Sequence, residues 1–64
     1  MRFLTVDDLK DILQISEKKT KALVRIEDFP SIRLGAEYRV EEGALIQWVQ
    51  SHYNKPVKLD YSKV

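Results

Sequence analysis

The stretch FPSIRLGAEYRV, residues 29–40, contains the strongest fold signal in the chain. Pro30 lacks a backbone N–H and disfavours the α region at Phe29, so any preceding helix has to end there. On either side of Gly35 the residues alternate, as in two antiparallel strands joined by a tight turn. Residues 31–40 are therefore predicted to form a β-hairpin.

The sequence leaves the register of this hairpin open. Gly35 as the first of two loop residues suits a type II′ turn, which pairs Leu34 with Glu37. A three-residue loop instead pairs Arg33 with Arg39. The longer loop also gathers four apolar side chains on one face, those of Ile32, Leu34, Tyr38 and Val40. In either register two arginines lie near the tip of a short, exposed ribbon.

A first helix is predicted over residues 6–13. The Thr5 hydroxyl can cap its first amides, and Asp8 stands at the position of a capping-box acid. Apolar residues recur at helical spacing, namely Val6, Leu9, Ile12 and Leu13, and three of them, Val6, Leu9 and Leu13, form one stripe. The acidic residues Asp7, Asp8 and Asp11 fall roughly opposite that stripe, so we expect this outer surface to face away from phosphate.

A second helix is predicted to open at the N-cap Ser16 and to continue to residue 25, after a tight turn. We favour an arc that buries Thr20, Leu23 and Val24. A competing arc through Ala22 and Ile26 would place the Lys19 ammonium near the core, which is less favourable. The favoured arc leaves an opposite face that is predicted to be exposed and basic, with Lys18, Lys21, Ala22 and Arg25 on it.

Charge is unevenly distributed along the chain. The formal net charge is only +1, from 11 basic and 10 acidic side chains. Residues 16–25 nevertheless contain four basic residues and one acid, whereas residues 7–11 contain three acids and one lysine. We therefore expect a dipolar surface whose basic side is formed by the second helix.

A third helix is predicted over residues 42–52, because Leu45, Trp48 and Val49 are spaced as a core stripe. Trp48 is expected to pack in the core, since bulky aromatics at helical spacing usually do. His52 is expected at the exposed end of this helix. Residues 54–64 have no sustained period and are predicted to be a flexible tail, although Val57, Leu59 and Tyr61 alternate within it.

Length and composition exclude several classes of protein. A chain of 64 residues allows one domain, and 44% hydrophobic with 33% charged residues is a globular balance. There is no cysteine, and His52 is the one histidine, so neither disulfides nor a zinc site is expected. No Ser-His-acid, Cys-His or glycine-rich phosphate motif points to an enzyme, and no apolar run suggests a membrane span or secretory signal.

The predicted order of elements and several motifs resemble the small winged-helix DNA-binding modules of the excisionase and MerR-like type. The motifs are Leu4-Thr5-Val6, Leu13-Gln14-Ile15-Ser16, residues 29–35 with Tyr38-Arg39-Val40, and Leu45 with Trp48. The resemblance covers about residues 3 to 52. It implies a mainly α fold with a small β-hairpin, a winged helix-turn-helix of the order helix-turn-helix-hairpin-helix. Residues 1–53 would form this domain.

The chain departs from the family pattern at its turns. The family commonly has glycine where Gln14 stands, a small residue where Lys10 stands, and a glycine near Glu27. What the resemblance implies for binding is that the second helix enters the major groove of double-stranded DNA while the hairpin, or wing, contacts the backbone or the minor groove. The implied contacts are Lys18, Lys19, Lys21, Ala22 and Arg25 on the helix, and Arg33 and Arg39 on the wing.

The resemblance also implies a role. Excisionases of phages and conjugative elements bind repeated sites near recombination ends, bend the DNA and assist a tyrosine-recombinase integrase, with no catalysis, cofactor or metal of their own. In that scheme Lys55, Lys58 and Tyr61 would touch the integrase or a neighbouring copy, and the protein would work in the bacterial cytoplasm. The alternatives are a small prophage or mobile-element transcriptional regulator and a winged-helix module that binds an acidic protein partner.

Overall fold

The computed structural model describes residues 1–62, which fold into three helices and one three-stranded antiparallel sheet. In chain order the elements are β1 (Phe3–Leu4), α1 (Val6–Leu13), α2 (Glu17–Arg25), β2 (Ser31–Leu34), β3 (Glu37–Glu41) and α3 (Glu42–Ser51). The predicted winged helix-turn-helix is thereby confirmed. β1 was not predicted, because two residues are too short to show the period of a strand.

α1 begins with the predicted capping box. The Asp8 N–H donates to Thr5 Oγ1 at 3.1 Å, and the Thr5 N–H donates to Asp8 Oδ2 at 3.0 Å. The helix ends at Gln14, which adopts the left-handed conformation with φ of 54° and donates its N–H to the Lys10 carbonyl. Gln14 thus fulfils the role of the glycine that is common at this turn, at the steric cost of a Cβ in that region.

α2 begins at the predicted cap, where the Lys19 N–H donates to Ser16 Oγ at 3.1 Å. Thr20 is fully buried, and its hydroxyl is satisfied because it donates to the Ser16 carbonyl at 2.8 Å. Leu23 and Val24 are buried as predicted.

The prediction that Ala22 lies on the exposed face of α2 is wrong, because its side chain is only 1% exposed. α2 buries the three residues of the favoured arc and, in addition, Ala22 from the competing arc. Together the buried residues span about 200° of the circumference of the helix. Lys19 lies within that angular range, yet it stays exposed since it belongs to the first turn of the helix. The positions of apolar residues around α2 do not by themselves show how much of the helix surface is covered by the elements packed against it.

The hairpin has the two-residue loop. Leu34 pairs with Glu37 and Arg33 with Tyr38, and the loop is Gly35-Ala36. Gly35 has φ of 64° while Ala36 does not have a positive φ, which is the pattern of a type II′ turn. The three-residue alternative, with its single apolar face, is wrong.

This register leaves two apolar side chains of β2 at the surface. Ile32 is 47% exposed and Leu34 is 57% exposed, so neither belongs to the core. Since alternate residues of a strand share a face, both point to the same side of the sheet, while Ser31 and Arg33 point to the other.

The core is a cluster to which every helix and every strand except β2 contributes. Its fully buried members are Leu4, Leu9 and Val40. The remaining members are Leu23, Val24, Phe29 and Leu45. Leu4 of β1 pairs directly with Val40 of β3, and this pair lies where the sheet meets the helices.

α3 starts immediately after β3, capped by the Glu41 carboxylate, which accepts from the Gly43 N–H at 2.7 Å. Trp48 is half-buried and packs edge-on against Phe29, with ring centroids 4.9 Å apart. Its core role is thereby confirmed.

His52 is not the exposed helix end that we expected. Its ring stacks on Trp48 at 4.1 Å, and Nε2 lies 2.9 Å from Asp28 Oδ2. The loop after α2 therefore returns beside the end of α3. The sequence contains no local signal for this long-range contact.

Part of the C-terminal segment is placed against the domain. The side chains of Val57 and Leu59 are half-buried against the core cluster. Tyr61 lies near α2, with its ring centroid 5.5 Å from Lys18 Nζ. The flexibility of residues 54–64, and their separation from the domain, remain predictions, and residues 63 and 64 lie outside the described residues.

The capping box makes the stability of the fold depend on pH in the acid range. The hydrogen bond from the Thr5 backbone N–H lowers the pKa of Asp8, with burial opposing it and the Thr5 hydroxyl adding to it. Because the folded-state pKa lies below that of the unfolded chain, the carboxylate stabilises the fold above the unfolded-state value, and this contribution is lost as the pH falls through the folded-state pKa.

We expect Asp8→Asn to be less stable than the natural protein at pH 7, and the gap to narrow as the pH falls through the acid range. Urea unfolding at a series of pH values measures both stabilities. A gap that stays constant down to pH 2 would contradict the role of the carboxylate.

Candidate nucleic-acid interface

A cleft of about 570 Å³ lies between α2 and the hairpin, with the start of α1 forming its third wall. Residues 5–7, at the cap and start of α1, and residues 36–39 of the hairpin line it from two sides. Three basic side chains border it, Lys21 and Arg25 from α2 and Arg39 from β3. The structure thus brings together basic residues that are up to 18 positions apart in the chain.

The contribution of α2 follows from its helical period. Glu17, Lys21 and Arg25 are each four residues apart, so successive members turn by only about 40° and form one stripe. All three are exposed, while Thr20 and Val24 on the neighbouring side are buried. The stripe therefore faces the cleft rather than the core.

One hydrogen bond ties the hairpin to α2. The Ser31 hydroxyl donates to the Val24 carbonyl at 2.7 Å, which joins the first residue of β2 to the last turn of α2. This bond limits how far the wing can move from the last turn of α2.

Arg39 reaches the cleft because β1 is short. β1 pairs only with residues 40 and 41, so the edge of β3 at residues 37–39 is not covered by β1. Arg39 is held there by two hydrogen bonds, to the Tyr38 carbonyl at 2.8 Å and to Glu37 Oε1 at 2.9 Å. Its side chain is 31% exposed.

Arg33, the other predicted wing contact, does not line the cleft. Its guanidinium carbon lies 6.0 Å from the Tyr38 ring centroid, and Nε donates to the Gly35 carbonyl at 3.1 Å. The side chain is exposed near the tip of the hairpin. The two wing arginines thus lie on different faces of the hairpin. Arg33 pairs with Tyr38 and Arg39 with Ile32, and successive residues of a strand alternate between the two faces.

The remaining predicted contacts of α2 lie outside the stripe. Lys18 is exposed at its margin, beside Tyr61. Lys19 is exposed on another side of the helix, about 160° from Lys21. Of the seven predicted contact residues, three border the cleft, three are exposed elsewhere, and Ala22 is buried.

Sequence reasoning missed the acidic side of the cleft. Asp7, Glu17 and Glu37 line it together with the three basic residues, so the formal charges balance. Lys21 Nζ lies 4.0 Å from Glu17 Oε2, and Arg39 pairs with Glu37 at 2.9 Å. Exposed pairs of this kind contribute about 0–1 kcal/mol each, so both cations can exchange partners.

Arg25 differs from the other two cations of the cleft. Within residues 1–62 it forms no salt bridge. Its planar guanidinium is therefore available to a ligand without displacing an internal partner, and it can donate two parallel hydrogen bonds to a phosphate or to a guanine edge.

Other kinds of site are not found in the described part of the chain. Among residues 1–62 no three His, Cys, Asp or Glu side chains are grouped to hold a metal ion. No helix in this part of the chain combines the length and apolarity needed to cross a bilayer.

Comparison with known proteins identifies one family. A family model described as a helix-turn-helix domain matches residues 3–53, which is most of the chain. The match begins in β1 and ends just after α3, so it includes every element that borders the cleft. Neither a curated protein nor a solved structure gives a significant match.

Proposed function

Because the chain belongs to the helix-turn-helix domain family, we propose that it is an excisionase-like protein that binds specific sites on double-stranded DNA and helps to excise a mobile element. The observation that carries the DNA-binding part is the cleft in which Lys21, Arg25 and Arg39 converge from the second helix and the wing.

α2 is the element that enters the major groove in this proposal. In helix-turn-helix proteins the second helix lies in that groove, and its N-terminal residues approach the base edges. The exposed stripe of α2 would supply Lys21 as a point charge for phosphate and Arg25 as a planar, bidentate donor. Ala22 takes no part, since it is buried.

The wing and the flanking lysines contact the DNA backbone. Arg39 faces the same cleft as α2, and Arg33 extends the basic surface at the hairpin tip. Lys18 reaches a phosphate at the margin of the stripe, and Lys19, on another side of α2, would reach only a phosphate that flanks the helix. If about four of these residues neutralise phosphates, the binding constant falls with salt at a logarithmic slope near −3.6, or about 150-fold between 50 and 200 mM.

The excisionase role is supported by the resemblance of residues 29–40 and of the turn between α1 and α2. A single small domain binds one short site weakly, so occupancy requires neighbouring copies or a larger partner on the same DNA. The exposed Lys55 and Lys58, together with Tyr61, are proposed to contact a tyrosine-recombinase integrase or the next copy.

The DNA-binding face is tested by Arg25→Glu. We expect this change to abolish binding to a 30-base-pair duplex, because it replaces the unpaired cation of the cleft by an anion. Lys10→Glu makes the same change of charge on α1, away from the cleft, and should bind nearly as well as the natural protein. Fluorescence anisotropy across a salt series measures affinity, and circular dichroism checks that both variants are folded.

Two results would contradict the assignment. Binding of Arg25→Glu with unchanged affinity and slope would remove α2 from the interface. No salt-dependent binding by the natural protein would instead favour a module that binds an acidic protein partner.

The excisionase role is tested with the DNA of the mobile element that encodes the chain. We expect footprints at repeated sites beside the recombination ends, slower gel migration of those fragments because of bending, and stimulation of excision by the cognate tyrosine recombinase. A footprint confined to a promoter, with no effect on excision, would contradict this role and indicate a transcriptional regulator.

A further inference from the structure

Two acidic residues of the cleft form ion pairs with cations to which the proposed function assigns DNA contacts. Glu17 lies one turn before Lys21 on the exposed stripe of α2, with 4.0 Å between Oε2 and Nζ. Glu37 lies two residues before Arg39 on β3, with 2.9 Å between Oε1 and the guanidinium. Both carboxylates line the cleft.

From this arrangement we infer that Glu17 and Glu37 act as internal counter-ions, which compete with DNA phosphates for Lys21 and Arg39, and that Glu17 is also a specificity-determining residue. The inference rests on the proposed DNA binding. It adds to the proposed function a role for two carboxylates, which cannot themselves bind phosphate.

The competition has a direct electrostatic consequence. A cation that is already paired with a carboxylate attracts phosphate less strongly, and its binding to DNA releases fewer of the counterions that surround the duplex. The carboxylate that is left behind also repels the approaching backbone. Glu17 and Glu37 therefore reduce both the affinity for DNA and its dependence on salt.

For Glu17 this reduction applies mainly to DNA of arbitrary sequence. Phosphate contacts are the same in every sequence and account for most non-specific binding. A carboxylate at the start of α2 can instead accept a hydrogen bond from a base amino group, such as cytosine N4 in the major groove. Glu17 is exposed at that position. In a DNA site that offers such a base amino group, this hydrogen bond offsets the repulsion between Glu17 and phosphate. In other DNA sequences the repulsion is not offset.

Several other acids of residues 1–62 lie outside the cleft. Glu41 accepts hydrogen bonds from the amides that begin α3, and Glu42 pairs with Arg2 at 3.0 Å. Asp8 belongs to the capping box of α1. Asp11 is exposed on α1 and does not line the cleft, so it offers a matched control for the loss of one negative charge.

The experiment compares Glu37→Gln, Glu17→Gln and the double variant with Asp11→Asn. Binding to a random-sequence 24-base-pair duplex is measured by anisotropy between 50 and 200 mM salt. An exposed ion pair changes an equilibrium constant by up to roughly fivefold, so we expect each cleft variant to bind about two to five times more tightly than Asp11→Asn. The logarithmic salt slope should become steeper by about 0.9 for each cation released.

Specificity is measured with the same variants on a duplex selected from a random pool by the natural protein. We expect the ratio of affinity for the selected duplex to affinity for random DNA to fall in Glu17→Gln, but to stay unchanged in Glu37→Gln, which affects phosphate contacts alone, and in Asp11→Asn.

Cleft variants that match Asp11→Asn in affinity, slope and ratio would overturn the counter-ion role while leaving DNA binding intact. Failure of the natural protein to bind any duplex at low salt would overturn the proposed function as well, and the two failures are thus distinguishable.

Discussion

Leu4 and Val40 face each other across β1 and β3, and neither side chain is exposed to solvent. Leu4 is followed at once by Thr5, the cap of α1, and Val40 by Glu41, the cap of α3. One pair of apolar residues therefore fixes the hairpin relative to two of the three helices. Since burial of a leucine or valine side chain stabilises a fold by about 1.5–3 kcal/mol, this contact outweighs any single surface ion pair.

The shortness of β1 matters as much as its pairing. A strand that continued alongside residues 37–39 would cover the edge of β3 from which Arg39 reaches the cleft. Because the chain instead turns at Thr5 into α1, that edge stays open toward α2, and the Ser31–Val24 hydrogen bond holds the two walls together. The basic residues are consequently less concentrated than the sequence suggested, with three around the cleft and the others at its margins or on other sides.

The local features of the fold were predictable from the sequence because neighbouring residues determine them. Thr5 with Asp8, and Ser16, specify two helix caps through contacts within four residues, whereas Gly35 marks the hairpin without deciding its register. The features that were missed depend on segments distant in the chain. The burial of Ala22, the contact of His52 with Asp28, and the carboxylates of the cleft each require knowledge of what packs beside a helix, which helical angles do not contain.

The central claim is that α2 and the open edge of β3 present one continuous surface to double-stranded DNA. Titration of the ¹⁵N-labelled protein with a short duplex, followed by amide chemical shifts, measures that surface directly. We expect the shifts to concentrate at residues 17–25 and 36–39, with little change around Asp11 on the outer side of α1. Shifts that concentrate instead on the exposed side of α3, around Ile46 and Gln50, with little change at residues 17–25, would contradict this claim.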